Sequence, residues 1–253
     1  MSAAVVTIER MDQVAIVRLN RPAARNAVNV ELAAALIAGI GMCQDARVIV
    51  LTGNGTAFCA GLDLRNLGTD KLMNLPLFLR AVAESTIPII AAVNGPAVTG
   101  GFELALACDF IVASTNAAFA DTHLRVGVYP GPVLVDLPRR VGMAKAREIS
   151  LTGNFVNAET ALRIGLVNHV VAPEDLLPFT LSLATAIAEQ DPQMVAVMRR
   201  DWDETGGMPL ADAHRQHSRN GRSAGFSSVG SDTLVANMSA VVTRAHGQQN
   251  KSS

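Results

Sequence analysis

Apolar positions change period several times along the chain, and each change marks an element. Ala4–Ile8 and Val14–Leu19 are short β-rich runs on either side of the polar Glu9–Gln13, which predicts a hairpin with a longer turn. From Asn26 to Gly41 the apolar residues fall at helical spacing, with Asn29 placed as an N-cap, Glu31 in the first turn, and Gly39 and Gly41 near the end. A buried strand at Val48–Leu51 follows. A loop from Gly53 to Asp63, an amphipathic stretch at Leu72–Glu84 and, after Pro88, a strand at Ile89–Val93 make a second unit. A third reads as a loop at Asn94–Thr99, a helix at Gly100–Cys108 and a strand at Phe110–Ala113. Parallel strands cannot be joined by a tight turn, so this alternation predicts crossover helices over a parallel sheet and an α/β fold. From Ala144 the pattern is mainly helical, at Ala144–Leu151, Ala158–Ile164, Leu176–Gln190, Pro192–Trp202 and Ala211–Ser218, broken by a strand-like Leu166–Val171.

Composition narrows the classes without choosing among enzymes. A chain of 253 residues that is 49% hydrophobic and 17% charged can bury a core without staples. Its 21 Lys+Arg against 22 Asp+Glu leave a net charge of −1, too little positive charge for a nucleic-acid partner. Cys43, Cys59 and Cys108 lack CxxC spacing and sit among small or apolar neighbours, which predicts buried thiols in a reducing compartment, with no disulfide and no zinc site. No apolar run approaches the roughly 18 residues of a membrane span, and the opening MSAAVVTIER has no charged leader before an apolar stretch. The expectation is a cytoplasmic protein with no membrane partner.

Two motifs fail on context. Gly53-Asn54-Gly55-Thr56-Ala57-Phe58 follows a strand like a dinucleotide fingerprint, but a Rossmann turn needs Gly or Ala opening into a helix where Phe58 stands. Gly221-Arg222-Ser223-Ala224-Gly225 is a literal GxSxG with Asp232 and His246 downstream. The polar, helix-like Ala211–Asn220 before it is not the buried strand that a nucleophile elbow requires.

The stretch Val93–Asp109 places strand, loop and helix where chemistry can use them. Gly100 and Gly101 fall in the first helical turn, whose N–H groups lack internal acceptors and which a ligand atom can approach without a Cβ in the way. Glu103 follows between Phe102 and Leu104, where partial desolvation raises a carboxylate toward a useful base. Phe58–Asp63 supplies a second loop after a second strand, so each loop can offer one N–H to the same oxygen.

With both loops in place, the chain resembles the crotonase superfamily of enoyl-CoA hydratases and isomerases. The matching pieces are Leu19-Asn20-Arg21-Pro22 through Arg25-Asn26-Ala27, Val50–Gly53 with Ala57–Leu64, Pro88–Asp109, and Leu151-Thr152-Gly153 with Gly165-Leu166-Val167. They span about residues 14–175 in family order. The resemblance implies a spiral of ββα units over residues 1–190, and a helical oligomerisation part over 191–253 that assembles homotrimers or dimers of trimers. It implies no metal or redox cofactor, coenzyme A being part of the substrate.

By position, the resemblance makes the Leu62 and Gly100 amides the oxyanion hole for a thioester enolate; one such donor is worth about 3–4 kcal/mol in a transition state. It assigns CoA contacts to Ala24, Arg25, Ala27, Ala60, Leu64 and Arg65, the two arginines meeting phosphates through paired charged hydrogen bonds. Family hydratases use two glutamates. Glu103 matches the first, whereas the family's Pro-Glu becomes Thr122-His123, so His123 stands in for the second carboxylate. Histidine, with an ordinary pKa of about 6.5, can do acid/base work near neutrality. Asp121 is placed to orient the imidazole. The expected activity is hydration of an enoyl-CoA; isomerisation, decarboxylation or thioester hydrolysis through the same enolate, and non-catalytic acyl-CoA binding, are the alternatives.

Overall fold

The computed structural model describes residues 4–63 and 77–225, together with Met238 and Val242. The chain divides into two compact units, residues 1–192 and 193–253.

In the first unit, β1 (Val6–Met11) and β2 (Val14–Leu19) form an antiparallel hairpin with Met11 opposite Val14. The turn is two residues, shorter than the polar run suggested, because Glu9–Met11 continue the strand along an exposed edge and Asp12 takes a left-handed φ of 50°. Helix α1 (Val30–Gly41) begins where the Asn29 side chain accepts the Leu32 N–H at 2.9 Å. Strand β3 (Val48–Gly53), helix α2 (Leu77–Ala83) and strand β4 (Ile89–Val93) follow. Next come β5 (Ala97–Val98), α3 (Gly100–Leu106), β6 (Phe110–Ser114) and β7 (Ala118–Ala120). Helices α4 (Val133–Val141) and α5 (Met143–Thr152), strand β8 (Val156–Asn157), helix α6 (Ala158–Arg163), strand β9 (His169–Val171) and helix α7 (Leu176–Ala188) complete the unit.

The main sheet runs β1-β2-β3-β4-β6-β9, parallel from β2 onward. Its central strands read as unbroken apolar runs because both faces are covered. Val48, Val50, Ile90, Ala92 and Val112 turn to one face and pack with Leu176, Ala184 and Ala188 of α7. Ile49, Leu51, Ala91 and Val93 turn to the other, into the core that holds Leu32, Leu36, Phe78, Val82 and Phe102.

A second sheet, β5-β7-β8, was not legible in the sequence, since strands of two or three residues carry no alternation. It pairs Ala97 with Phe119 and Val98 with Ala120, and so brings the residues after β5 beside those after β7. Helix α4 also escapes a pattern reading because Pro132 precedes it and Pro138 lies inside it.

The second unit holds most of helix α8 (Pro192–Thr205), and α9 (Leu210–Ser223). The Asn220 amide bonds Asp201 Oδ1 at 2.7 Å and Glu204 Oε2 at 2.8 Å, tying the two helices together. Ser223 ends a helix and follows no strand, so the GxSxG is not a nucleophile elbow.

Candidate active site

Three peptide segments converge on one place. Asn26, fully buried with φ 56°, donates its amide to the carbonyls of Asn54, Ala57 and Phe58 at 3.0, 2.8 and 3.1 Å, and accepts the Arg21 N–H. One side chain thus fixes segment 21–27 against segment 54–63. The Ala60 N–H donates to the Arg25 carbonyl at 3.0 Å, and that of Ala27 to the Ala24 carbonyl at 3.0 Å. The structure therefore gathers Ala24, Arg25, Ala27 and Ala60, with the Arg25 side chain exposed. Leu64 and Arg65 lie outside the described residues. Sequence reasoning passed over Asn26 as a site organiser; its only signal was an Asn beside an Arg–Ala pair.

Val28 bridges Leu62 in parallel fashion, accepting from Asp63 N–H at 2.9 Å and donating to the Gly61 carbonyl at 2.7 Å. That pattern turns the Leu62 N–H away from Val28. On its other side stands Gly100, whose Cβ position would lie 3.7 Å from Leu62 N. Neither N–H has an acceptor among the described residues. Close approach of the chains makes the next glycine obligatory: a Cβ on Gly101 would meet the Cys59 carbonyl at 2.1 Å. Thr99, just before Gly100, has φ 52° and ψ −113°, a conformation that costs a non-glycine residue on the order of 1–3 kcal/mol.

Glu103, on the same helix as Gly100, and Asp121 and His123, after β7, form a line of three buried ionisable groups. Asp121, 1% exposed, accepts from His123 Nδ1 at 2.6 Å and from the His123 backbone N–H at 3.3 Å. His123, 6% exposed, opens a 3-10 turn (His123–Val126), and its Nε2 stands 3.9 Å from Oε2 of Glu103, also 6% exposed. Glu103 Oε1 accepts the Val133 N–H at 3.3 Å, the first peptide of α4. Gly131 closes over the same oxygen, since a Cβ there would lie 2.9 Å from Oε1.

The charges within this line are uneven. Burial pushes the Glu103 carboxyl up, and Asp121 adds to the rise; the facing His123 and the peptide N–H groups of Val133 and Gly131 oppose it without cancelling it. Burial alone would also raise Asp121, but hydrogen bonds from His123 and the influence of the Ser150 hydroxyl outweigh it, so this carboxyl is held below its usual range. Asp121 Oδ2 is buried with no hydrogen-bond partner among the described residues, while the Ser150 hydroxyl favours the charged carboxylate. With Asp121 ionised, the imidazole donates its Nδ1–H to Asp121 and turns Nε2 toward Glu103, where it can carry or give up a second proton.

Of the residues that sequence reasoning singled out, the structure sets Leu62 beside Gly100, and Asp121, His123 and Glu103 in one line. That reasoning missed Gly131 and the Val133 peptide, which reach Glu103 only through α4. The cavity of about 480 Å³ in the second unit, lined by Met194, Val197, Met198, Asp201 and His217 among others, includes none of these residues. Among the described residues no group of three His, Cys, Asp or Glu side chains is disposed to hold a metal ion, and no helix is long and apolar enough to cross a membrane.

The family model described as Enoyl-CoA hydratase/isomerase matches residues 9–227. (E)-Benzylidenesuccinyl-CoA hydratase of Thauera aromatica is 40% identical over 216 residues, covering 81% of this chain and 84% of its own. Crotonyl-CoA hydratase of Syntrophomonas wolfei is 35% identical over 194 residues, covering 72% and 75%. The crystal structure of an enoyl-CoA hydratase from Mycobacterium tuberculosis superposes with a TM-score of 0.83 at 32% identity, covering 94% of this chain and 96% of that one.

Proposed function

The chain belongs to the enoyl-CoA hydratase/isomerase family, and we propose that within it the protein is a hydro-lyase that adds water across the 2,3 double bond of an enoyl-CoA. The observation that carries the proposal is the line Asp121–His123–Glu103, with 2.6 Å between Asp121 and Nδ1 and 3.9 Å from Nε2 to Glu103. An acid and a base 3.9 Å apart can serve the two adjacent carbons of a double bond.

The Leu62 and Gly100 N–H groups receive the thioester oxygen, and Ala24, Arg25, Ala27, Ala60, Leu64 and Arg65 hold the CoA. Glu103, ionised, takes a proton from water while the oxygen bonds C3, and the electrons displaced from the double bond settle on the thioester oxygen as an enolate. His123 then gives its Nε2 proton to C2. The proton on Glu103 returns to His123 across the gap between them, so the pair begins and ends each turnover with one shared proton. No redox cofactor or metal enters this sequence. Assembly as a homotrimer or dimer of trimers through residues 191–253, and a cytoplasmic location, belong to the same proposal.

Two rates test it: loss of the conjugated thioester absorbance of crotonyl-CoA, and conversion of a 3-enoyl-CoA to its 2-enoyl isomer. Hydration is expected to be the faster; faster isomerisation contradicts the proposal.

A pH profile follows from the charge arrangement. Hydration needs Glu103 ionised, so the rate falls as pH drops through its raised pKa, at higher pH than an ordinary carboxylate near about 4.3 would give. Asp121→Asn removes the carboxylate that orients the imidazole and helps to raise Glu103; kcat falls about 10²–10⁴-fold and the acid limb moves to lower pH. An unchanged profile in that variant contradicts Asp121's place in the line.

Gly131→Ala should separate catalysis from folding. What the new Cβ meets is the far end of the Glu103 side chain, so the carboxylate swings aside and the backbone stays. The thermal midpoint is expected to hold within a few degrees while kcat drops about 10–100-fold, as a misplacement near 1 Å does. Equal kcat in both proteins would show that Gly131 does not place the base.

A further inference from the structure

We infer that the hydroxyls of Thr99 and Thr122 form a clamp that sets the direction of the Gly100 N–H and ties it to the His123 arm. The inference rests on the reading of Gly100 as an oxyanion donor given above. Thr99 Oγ1 and Thr122 Oγ1 are 2.6 Å apart, both part-buried. Thr99 lies directly after β5 and Thr122 two residues after β7, so the bond joins the ends of two paired strands.

The geometry at Thr99 gives the clamp its task. The plane of the peptide that carries the Gly100 N–H turns with the ψ angle of Thr99, which is −113° at a φ of 52°. A residue with a Cβ leaves that region unless its surroundings hold it there. Backbone bonds hold both sides: the Thr99 N–H donates to the Ala120 carbonyl at 2.8 Å, and the Thr99 carbonyl accepts the Glu103 N–H at 2.9 Å. They fix the ends of the pivot. The hydroxyl pair fixes the side chain between them, and with it the rotation that aims the donor.

The other half of the pair has equal consequence. Thr122 stands between Asp121 and His123, whose hydrogen bond aligns the imidazole. One side-chain bond therefore links the group that receives the enolate charge to the arm that quenches it. Thr122 and Thr99 are positioning residues and touch neither water nor the double bond.

The test uses Thr122→Val, Thr122→Ser, Thr99→Ala, Thr99→Gly and the double variant Thr99→Gly/Thr122→Val. The readouts are kcat and KM for crotonyl-CoA hydration, and the red shift in absorbance of bound cinnamoyl-CoA, whose thioester oxygen reports polarisation by the amides. Thr122→Val is expected to lower kcat about 10–100-fold with KM within about threefold, and to shrink the red shift. Thr99→Ala breaks the same bond from the other side and gives the same two losses, which covers a failure of Thr122→Val to fold. Thr122→Ser recovers both readouts. The double variant matches Thr99→Gly alone, because once the Thr99 hydroxyl is gone the Thr122 hydroxyl has no clamp left to break. The clamp is overturned if Thr122→Val and Thr99→Ala leave both readouts at the unsubstituted level, or if the double variant is clearly more impaired than Thr99→Gly. Strong hydration and a strong shift that ignore Thr122 sink the clamp and leave the site standing. Absence of both in the unsubstituted protein sinks the site and the clamp together.

Discussion

Glu103→Gln is expected to lower kcat for crotonyl-CoA hydration by about 10²–10⁴-fold, the range a positioned general base supplies, while the dissociation constant for the substrate stays within about threefold. The substitution is close to isosteric. The glutamine carbonyl can still accept the Val133 N–H that Glu103 Oε1 accepts at 3.3 Å, so the start of α4 keeps its partner. What disappears is the group able to take a proton from water. Titration calorimetry with crotonyl-CoA beside the steady-state assay separates the two effects. A kcat within about twofold of the unsubstituted protein removes Glu103 from the mechanism. Tight binding without turnover in the unsubstituted protein would instead favour a non-catalytic acyl-CoA binder.

His123→Ala carries the second large effect, through two routes of the same sign. It removes the acid that serves C2, worth about 10²–10⁴-fold in kcat. It also removes the positive partner that holds the Glu103 pKa down against burial. The acid limb of the residual activity therefore moves to higher pH, and the loss deepens toward acid pH. His123→Glu restores a carboxylic acid at the position and is expected to recover more activity than His123→Ala or His123→Gln. A His123→Ala protein with undiminished kcat and an unmoved acid limb would leave the imidazole as mere packing.

Elements with a strong period were legible: α1 capped by Asn29, the buried runs of β3 and β4, and the alternation that dictates a parallel sheet. Catalytic candidates were legible where chemistry and family pattern coincide, at Glu103 behind Gly100 and Gly101 and at His123 in place of a glutamate. What eluded the sequence is held by tertiary contact alone. Strands β5 and β7 are too short to alternate, yet their register sets Thr99 beside Thr122. Gly131 and Val133 meet Glu103 from thirty residues away along the chain, through a helix that two prolines disguise. Asn26 falls within the run read as helical, but its positive φ takes it out of α1 and frees its amide for three carbonyls.

The central claim, that His123 and Glu103 serve different atoms above one pair of backbone amides, is tested most directly with butyryl-CoA in D2O. This saturated thioester has no double bond to hydrate, so exchange of its C2 hydrogens, followed by proton NMR, reports only enolate formation and the group that moves the C2 proton. The unsubstituted protein and Glu103→Gln are predicted to exchange, and His123→Ala to lose exchange. Exchange that survives in His123→Ala and vanishes in Glu103→Gln would contradict the division of roles.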